Sequence, residues 1–148
     1  MNEKAKAVRM MIFDVDGVMT DGSLHYSDSG EEIKVFNSRD GHGLKALKAS
    51  GVKLAIITGR TSRALERRAN QFAVDYLYQG VEDKLAVFNE ILQDAGLTPA
   101  DCGYMGDDVV DLPVMRRVAF AVAVSDAPEL VRLKAHYVTG LPGGRGAV

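Results

Sequence analysis

The sequence is poor in cysteine and has no tryptophan: Cys102 is the single cysteine among 148 residues. One cysteine excludes an intramolecular disulfide and suits a reducing compartment. No apolar run approaches the roughly 18 residues of a membrane span, and the charged start, Met1–Arg9, lacks the apolar centre of a signal peptide. The net charge of −2 gives no basic surplus that would indicate nucleic acid or an anionic membrane. We therefore expect a cytoplasmic protein without nucleic-acid or membrane partners.

Internal repeats, low-complexity tracts and linkers are also missing from the sequence. Hydrophobic residues make up 47% and charged residues 26%, which is an ordinary globular composition. A chain of this length buries roughly two thirds of its unfolded surface, so it needs no disulfide or metal to fold. We predict one domain over residues 1–148.

Short apolar runs alternate with amphipathic stretches along the chain. Near-continuous apolar strands separated by helices are typical of a parallel sheet covered on both faces, so the pattern predicts a doubly wound α/β fold. The predicted strands are Met10–Val15, Val52–Thr58, Tyr76–Tyr78, Gly103–Met105, Phe120–Val124 and Tyr137–Val138. The predicted helices carry Leu44 and Leu47, Leu65 to Phe72, Leu85 to Ala95, Leu112 to Val118, and Leu130 to Lys134.

Two segments break this alternation. Residues 22–35 place apolar side chains at every second position on both sides of a turn cluster, which predicts a β-hairpin above the end of the first strand. Residues 140–148 are rich in glycine, which predicts a flexible tail.

Two carboxylates follow the first predicted strand in the sequence Asp14-Val15-Asp16-Gly17. Residues two apart at a strand end can project to the same side and could together hold a divalent cation. One carboxylate could attack phosphorus, while the other protonates a leaving oxygen and then activates water. The competing interpretation is a solvated acidic pair with no chemical role.

A hydroxyl and a positive charge follow the next strands. Thr58-Gly59-Arg60 could bind phosphate oxygens through a side-chain hydroxyl and free amides, although an ordinary turn and helix cap has the same appearance. Lys84, before an amphipathic helix, could neutralise both a nucleophile and a phosphate. Taken alone, a lysine is more often a surface residue.

The sequence Gly106-Asp107-Asp108, followed by Asp111, adds further carboxylates after a short strand. These residues could complete a magnesium site, since Mg²⁺ takes one or two carboxylates together with phosphate and water. The alternative is a helix N-cap, which an acidic residue before Leu112 would also provide.

The four features occur in the order D-x-D-G, T-G-R, K and G-D-D-x-x-D, each at the expected end of a strand or start of a helix. This order resembles the haloacid dehalogenase superfamily over nearly the whole chain, and it implies a Rossmann-like phosphatase core. The resemblance implies that Asp14 is the nucleophile and Asp16 the general acid and base, with phosphate bound by Thr58 and Lys84. It also implies a Mg²⁺ site of Asp14, Asp16 through its carbonyl, and Asp107, supported by Asp108 and Asp111.

The spacing between these motifs leaves no room for the cap domain that many superfamily members carry. Longer matches in Phe36–Gly43, Thr58–Ala69, Tyr78–Lys84 and Lys134–Ala147 resemble the 3-deoxy-D-manno-octulosonate 8-phosphate phosphatase family. That resemblance implies a capless homotetramer of lipopolysaccharide synthesis whose hairpin and glycine-rich tail reach neighbouring subunits. The substrate contacts it implies are Asp16, Asn37, Ser38, Arg39, Asp40, Gly41, Lys45, Gly59, Arg60, Arg68, Lys84 and, from a neighbour, Arg145.

Two departures from that family affect these expectations. Lys45 stands where the family usually has arginine, which keeps the charge but loses the forked geometry. The chain ends at Val148, where the family usually continues, so tail closure and tetramer stability are less secure expectations.

Three other activities remain open on the sequence. The first is a phosphatase for a nine-carbon sugar acid 9-phosphate, which would differ in a few pocket residues. The second is a non-catalytic sugar-phosphate-binding protein, and the third is a phosphomutase. The complete set Asp14, Asp16, Lys84 and Asp107 favours catalysis over binding alone, and the missing cap argues against a mutase.

Overall fold

A six-stranded parallel sheet forms the centre of the computed structural model, which describes residues 3–148. The sheet order β5-β4-β1-β6-β7-β8 places the first long strand between β4 and β6. In chain order the elements are α1 (Glu3–Lys6), β1 (Met10–Phe13), β2 (His25–Tyr26), β3 (Glu32–Ile33), α2 (Ser38–Ala49), β4 (Lys53–Ile57), α3 (Arg63–Gln71), β5 (Tyr76–Tyr78), α4 (Lys84–Ala95), β6 (Cys102–Gly106), α5 (Leu112–Met115), β7 (Phe120–Ala123), α6 (Glu129–Arg132) and β8 (Tyr137–Val138).

The strands form where apolar residues run without interruption. All residues of β1 and β6 are buried, as are the last four residues of β4. Strands buried on both faces need apolar side chains at every position, which separates them from the alternating strands of a half-exposed sheet. The predicted doubly wound α/β fold is confirmed by this sheet and its flanking helices.

Local capping sets the helix boundaries near the site. Asn37, Ser62 and Asp83 are the N-caps of α2, α3 and α4, and each side chain accepts a hydrogen bond from a first-turn amide. Gly96 ends α4 in the left-handed region, with φ of 63°. Glycine suits this helix end because a residue without Cβ adopts the left-handed conformation without strain.

The structure corrects one predicted helix and adds a short helix that was not predicted. The stretch from Leu112 to Val118 is helical only over α5, and a 3-10 turn at Val109–Asp111 precedes it. The charged N-terminal segment contains α1, which the sequence pattern did not predict. A four-residue helix is too short to show a helical hydrophobic period.

The segment predicted as a hairpin contains β2 and β3, which pair antiparallel through His25 with Ile33 and Tyr26 with Glu32. These strands form a separate two-stranded sheet. Between β1 and α4 the chain contains only this pair, α2, β4, α3 and β5. Among the residues described, no helix combines the length and apolar character needed to cross a membrane.

The glycine-rich tail lies against its own domain. Gly144 donates its amide to the Val18 carbonyl at 3.0 Å, and Gly143 donates to Asp126 Oδ1 at 3.0 Å. The Val148 amide donates to Asp40 Oδ1 at 3.0 Å. The segment contains no helix or strand, and its flexibility stays a prediction.

Candidate active site

The carboxyl ends of β1, β4 and β6 bring the predicted catalytic residues together. Asp14, Thr58 and Asp107 each follow one of these neighbouring strands. The Asp14 amide donates to the Met105 carbonyl of β6 at 3.0 Å, and the Thr58 amide donates to the Tyr78 carbonyl of β5 at 3.0 Å. The ladder hydrogen bonds therefore continue into the site and fix the backbone from which these side chains project.

Three carboxylates lie close together at this edge of the sheet. Oxygen atoms of Asp14, Asp107 and Asp111 lie within 4.8 Å of one another. Burial, followed by the charge of Asp111, raises the pKa of Asp14 to about 6. Burial, followed by the charges of Asp14 and Asp111, raises the pKa of Asp107 to about 8. These shifts express the cost of holding several negative charges at one buried place.

One free oxygen atom in this cluster indicates where a cation would bind. Asp107 Oδ1 is buried and accepts no hydrogen bond from any residue that the structure describes. A hard divalent cation takes carboxylate oxygens and would remove the repulsion between Asp14 and Asp107. The donor set therefore fits Mg²⁺.

Asp111 is fully buried, and hydrogen-bond donors contact both of its carboxylate oxygens. Its Oδ1 accepts from Lys84 Nζ and from the Tyr104 hydroxyl, both at 2.7 Å. Its Oδ2 accepts from the amides of Asp107 at 3.0 Å and Asp108 at 3.1 Å. Because these four donors occupy both oxygens, Asp111 orients its neighbours, whereas Asp107 keeps Oδ1 free of hydrogen bonds within the described residues.

Lys84 begins α4, and its side chain is 6% exposed, so the interpretation as a surface lysine is wrong. Its Nζ lies 2.9 Å from Asp14 Oδ2 and 2.7 Å from Asp111 Oδ1. Burial opposes the charged form, but the two carboxylates outweigh it and raise the pKa of Lys84. The ammonium is therefore a permanent positive charge beside the predicted nucleophile.

Glycine is required where the loop after β1 passes the acidic cluster. Gly17 has φ of 92°, and a Cβ atom at this position would lie 2.0 Å from Asp107 Oδ2. The close approach of the backbone to a carboxylate of the cluster explains why glycine follows Asp16 in this motif.

A cavity of about 220 Å³ opens beside these groups. Its lining brings together the predicted nucleophile, acid and phosphate-binding residues: Asp14, Asp16, Thr58, Gly59, Arg60 and Lys84, with Val81, Glu82 and Val110. Thr58 is a buried residue of this lining. Asp108 is exposed and caps the 3-10 turn by accepting from the Val109 amide at 2.7 Å.

The hairpin contributes a residue that the sequence motifs did not reveal. Lys34 forms an ion pair with Asp16, and its Nζ lies 2.7 Å from Glu32 Oε1. Glu32 Oε2 lies 2.7 Å from Arg60, which also donates to the Tyr26 hydroxyl at 2.7 Å. Strand alternation carried the missing signal, because Lys34 stands between outward-facing Ile33 and Val35 and must face the opposite side.

One of the remaining predicted substrate contacts lines a second cavity of about 960 Å³, between the hairpin and α3. Arg68 lines it and donates to the Asn37 carbonyl at 3.0 Å. The Arg68 guanidinium lies 5.7 Å from the centre of the Phe36 ring and 4.5 Å from that of Phe72. The two cavities meet at Lys34, which lines the larger one and contacts Asp16 of the smaller one.

The start of α2 packs under Arg68. Gly41 is buried there, and a Cβ atom on it would lie 2.7 Å from Arg68 Nη2. Asn37 accepts from the Arg39 amide at 2.8 Å, while Ser38 and Arg39 are exposed. Asp40 is buried and accepts from the tail.

Neither Lys45 nor Arg145 lines either cavity, and the same holds for residues 37–41. Lys45 is directed to the ring of Phe72, with 5.9 Å between its Nζ and the ring centre. Arg145 contacts Asp21 of its own chain at 3.2 Å, and its role toward a neighbouring subunit stays a prediction.

Comparison with known proteins places this geometry in a family. The sequence profile of the haloacid dehalogenase-like hydrolases matches residues 30–119. The 3-deoxy-D-manno-octulosonate 8-phosphate phosphatase KdsC of Yersinia pestis is 49% identical over 146 residues, which are 99% of this chain and 78% of that protein. The KdsC protein of Escherichia coli K12 is 44% identical over 145 residues, 98% of this chain and 77% of that protein.

A solved structure agrees with these sequence matches. The 3-deoxy-D-manno-octulosonate 8-phosphate phosphatase of Moraxella catarrhalis, in complex with magnesium ion, phosphate ion and KDO, superposes with a TM-score of 0.96. It is 40% identical, and the match covers 99% of this chain and 84% of that one. The chain therefore belongs to the haloacid dehalogenase-like hydrolases and, within them, to the 3-deoxy-D-manno-octulosonate 8-phosphate phosphatase family of phosphoric monoester hydrolases.

Proposed function

We propose that this protein is a Mg²⁺-dependent phosphatase that hydrolyses 3-deoxy-D-manno-octulosonate 8-phosphate to KDO and phosphate. The arrangement of Asp14 carries the proposal: its carboxylate lies 2.9 Å from Lys84 Nζ and belongs to an acidic cluster beside a cavity of about 220 Å³. A buried anion held next to a permanent cation suits attack on phosphorus, because the cation offsets the charge of the incoming phosphate.

In the first step, an oxygen of Asp14 attacks phosphorus and the bond to the sugar oxygen breaks. The carboxyl of Asp16, which lines the same cavity, donates its proton to that leaving oxygen. Water then attacks the aspartyl-phosphate, and Asp16 accepts the proton, so that phosphate leaves and Asp14 returns to its starting form.

Positive charge and hydrogen-bond donors hold the phosphoryl group. Lys84, the Thr58 hydroxyl and the amide of Gly59 provide them in this chain. Asp14, Asp107 and the carbonyl of Asp16 would hold Mg²⁺, with Asp108 and Asp111 in support. When bound, the ion supplies charge neutralisation between the nucleophile and the phosphate oxygens.

Arginines beside the second cavity suit the rest of the substrate. A sugar acid carries a carboxylate at the end remote from its phosphate, and a guanidinium binds carboxylates in a bidentate manner. Arg60 lines the smaller cavity and Arg68 the larger one. The relative from Moraxella catarrhalis is in complex with KDO and phosphate, which favours the eight-carbon substrate over a nine-carbon acid.

We further propose that the protein acts in lipopolysaccharide synthesis, in the cytoplasm, as a homotetramer. Apolar side chains of the hairpin are half exposed or more, namely Leu24, Tyr26, Ile33 and Val35. Apolar patches of this kind mark protein interfaces.

The test is phosphate release from three esters, with and without Mg²⁺: the eight-carbon acid, a nine-carbon sugar acid 9-phosphate and p-nitrophenyl phosphate. We expect fast, Mg²⁺-dependent release from the eight-carbon acid alone. Equal turnover of the nine-carbon acid would replace the named substrate. Binding of all three esters without hydrolysis would identify a sugar-phosphate-binding protein instead.

A further inference from the structure

We propose that Lys34 is a positioning residue that holds Oδ1 of the Asp16 carboxyl group, so that the other oxygen carries the proton that passes to the leaving oxygen. The proposal rests on the phosphatase activity proposed above. It assigns a task to a hairpin residue that the four catalytic motifs do not include.

The burial of Lys34 is the first observation. Its side chain is 3% exposed, although Ile33 and Val35 on either side are exposed residues. Lysine is almost never fully buried unless its charge is paired. The hairpin therefore directs a charged group inward and leaves its apolar groups outside, which is the reverse of the arrangement that burial of apolar surface would favour.

The contacts of Lys34 are the second observation. Its ammonium bridges Asp16 of the loop after β1 and Glu32 of β3, two residues before it. Glu32 in turn lies 2.7 Å from Arg60 in the loop after β4. Lys34 and Glu32 thus connect Asp16, the proposed acid and base, to Arg60, which lines the same cavity. Neither Lys34 nor Glu32 belongs to the six-stranded sheet.

The position of Asp16 explains why such a contact is needed. Asp14 receives a hydrogen bond from the Val15 amide at 2.7 Å and is held by Lys84 on α4. Asp16 lies beyond the last paired strand residues and is half-buried. A carboxyl that must present one oxygen to the leaving group requires a fixed rotamer, and Lys34 Nζ engages its Oδ1.

The acidity of the leaving group distinguishes this positioning role from a purely structural role of Lys34. A sugar alcohol must receive a proton as its bond to phosphorus breaks, whereas nitrophenolate leaves without one at neutral pH. The ratio kcat/KM reports the steps up to departure of the leaving group, so hydrolysis of the aspartyl-phosphate does not disturb the comparison.

The experiment measures kcat/KM of Lys34→Met, Lys34→Arg and wild type on alkyl and aryl phosphates of graded leaving-group acidity, including p-nitrophenyl phosphate. We expect Lys34→Met to lose about 10²-fold on alkyl esters, the lower end of the effect of a general acid, and to lose little on the nitrophenyl ester. Lys34→Arg should recover part of the loss because it keeps the charge. Lys53→Met, at the exposed start of β4, is the matched control and should behave as wild type.

A loss of equal size on every ester would overturn the proposal, since it would indicate phosphate binding or a damaged fold. A crystal structure of Lys34→Met provides a second test that does not depend on enzyme activity. The Asp16 side chain should leave its position, and an unchanged rotamer would also overturn the proposal. Failure of wild type to hydrolyse any ester would instead remove the proposed phosphatase function, and the crystal structure would still decide the role of Lys34.

Discussion

Two networks of charged side chains meet at the active site, and they differ in what holds them. The network around Asp111 joins β1, β6 and α4, and its members Asp14, Lys84, Tyr104 and Asp111 are all buried. The network around Lys34 joins the hairpin to two loops, and the hairpin strands have two residues each. The first is fixed by the sheet, while the second is fixed mainly by its own ion pairs.

This difference assigns separate tasks to the two networks. Nucleophilic attack needs a carboxylate held rigidly in line with phosphorus, and the buried network provides that from the core. Proton transfer acts on the leaving alcohol, which is the part of the substrate that differs between phosphate esters. The hairpin borders the larger cavity, where this part would bind. We therefore expect changes in the first network to affect folding and all substrates, and changes in the second to affect particular substrates.

Asp14→Asn should have the largest effect on turnover. An amide cannot form the acyl-phosphate, so we expect phosphate release to fall by about 10⁴-fold or more. Lys84 keeps Asp111 as a partner at 2.7 Å, so the fold should survive. Circular dichroism and phosphate release measured on one preparation check both points. Wild-type activity in this variant would contradict the assignment of the nucleophile.

Asp111→Asn should have the largest effect on stability. The amide cannot accept from all four donors, so it leaves Lys84 as a buried cation with weaker compensation. Breaking a buried ion pair costs about 3–5 kcal/mol of unfolding free energy. Urea unfolding measures this loss, with exposed Asp28→Asn as the control at less than about 0.5 kcal/mol. Equal losses in the two variants would remove the distinction between the buried network and the surface.

Gly17→Ala should weaken Mg²⁺ binding. The new Cβ would lie 2.0 Å from Asp107 Oδ2 and would displace that carboxylate. We expect a loss of about 10–100-fold in Mg²⁺ affinity, the scale of changes next to a metal ligand. Gly51→Ala is the matched control: its φ of 89° gives the same backbone strain, but no heavy atom lies within 4 Å of the added methyl group. Isothermal titration calorimetry of both variants with Mg²⁺ distinguishes the effect of the steric clash with Asp107 from the effect of backbone strain.

The buried network should also make the metal-free protein sensitive to pH. Folded Asp14 and Asp107 have pKa values of about 6 and about 8, above the ordinary value of 3.8. The folded state then binds more protons than the unfolded state between about pH 4 and pH 8, so stability falls as pH rises through that range. In EDTA, Asp107→Asn should exceed wild type in unfolding temperature at pH 8 and match it at pH 4. A difference independent of pH would contradict the raised pKa values.

Glu32→Gln should have the smallest effect on stability and so sharpens the contrast between the networks. It weakens the ion pairs to Lys34 and Arg60, both 2.7 Å long. Because the hairpin contributes few residues to the core, we expect a loss below about 1 kcal/mol. Amide exchange in the hairpin should quicken while exchange in β1 and β6 stays slow. If the variant hydrolyses the sugar ester more slowly but p-nitrophenyl phosphate at the same rate, Glu32 also helps Lys34 to position Asp16.

Patterns along the chain were sufficient to predict the sheet and the catalytic motifs. The apolar runs over β1, β4 and β6 predicted the central strands because a strand buried on both faces needs apolar side chains throughout. The carboxyl ends of neighbouring parallel strands meet at one edge of a sheet, so the positions of Asp14, Thr58 and Asp107 after such strands predicted that they lie together.

Residues outside these patterns could not be predicted. Tyr104 appeared as an ordinary strand residue, yet its hydroxyl donates to Asp111 inside the core. No catalytic motif singled out Lys34, yet its side chain is among the least exposed of the charged groups at the site. Both roles depend on a partner from another part of the chain, and composition or periodicity carries no information on that partner.

Local sequence patterns were enough to establish the α/β class, the strand ends and the types of residue that stand at them, because hydrophobic periodicity and backbone preferences act over a few neighbouring residues. The burial of Lys84 between Asp14 and Asp111, and the turn of the hairpin that brings Lys34 to Asp16, emerge from the folded chain alone. These contacts join residues remote in sequence. Their geometry is set by the order of the strands and by the cost of burying a charge without a partner, which selects the arrangement in which each cation meets its carboxylates.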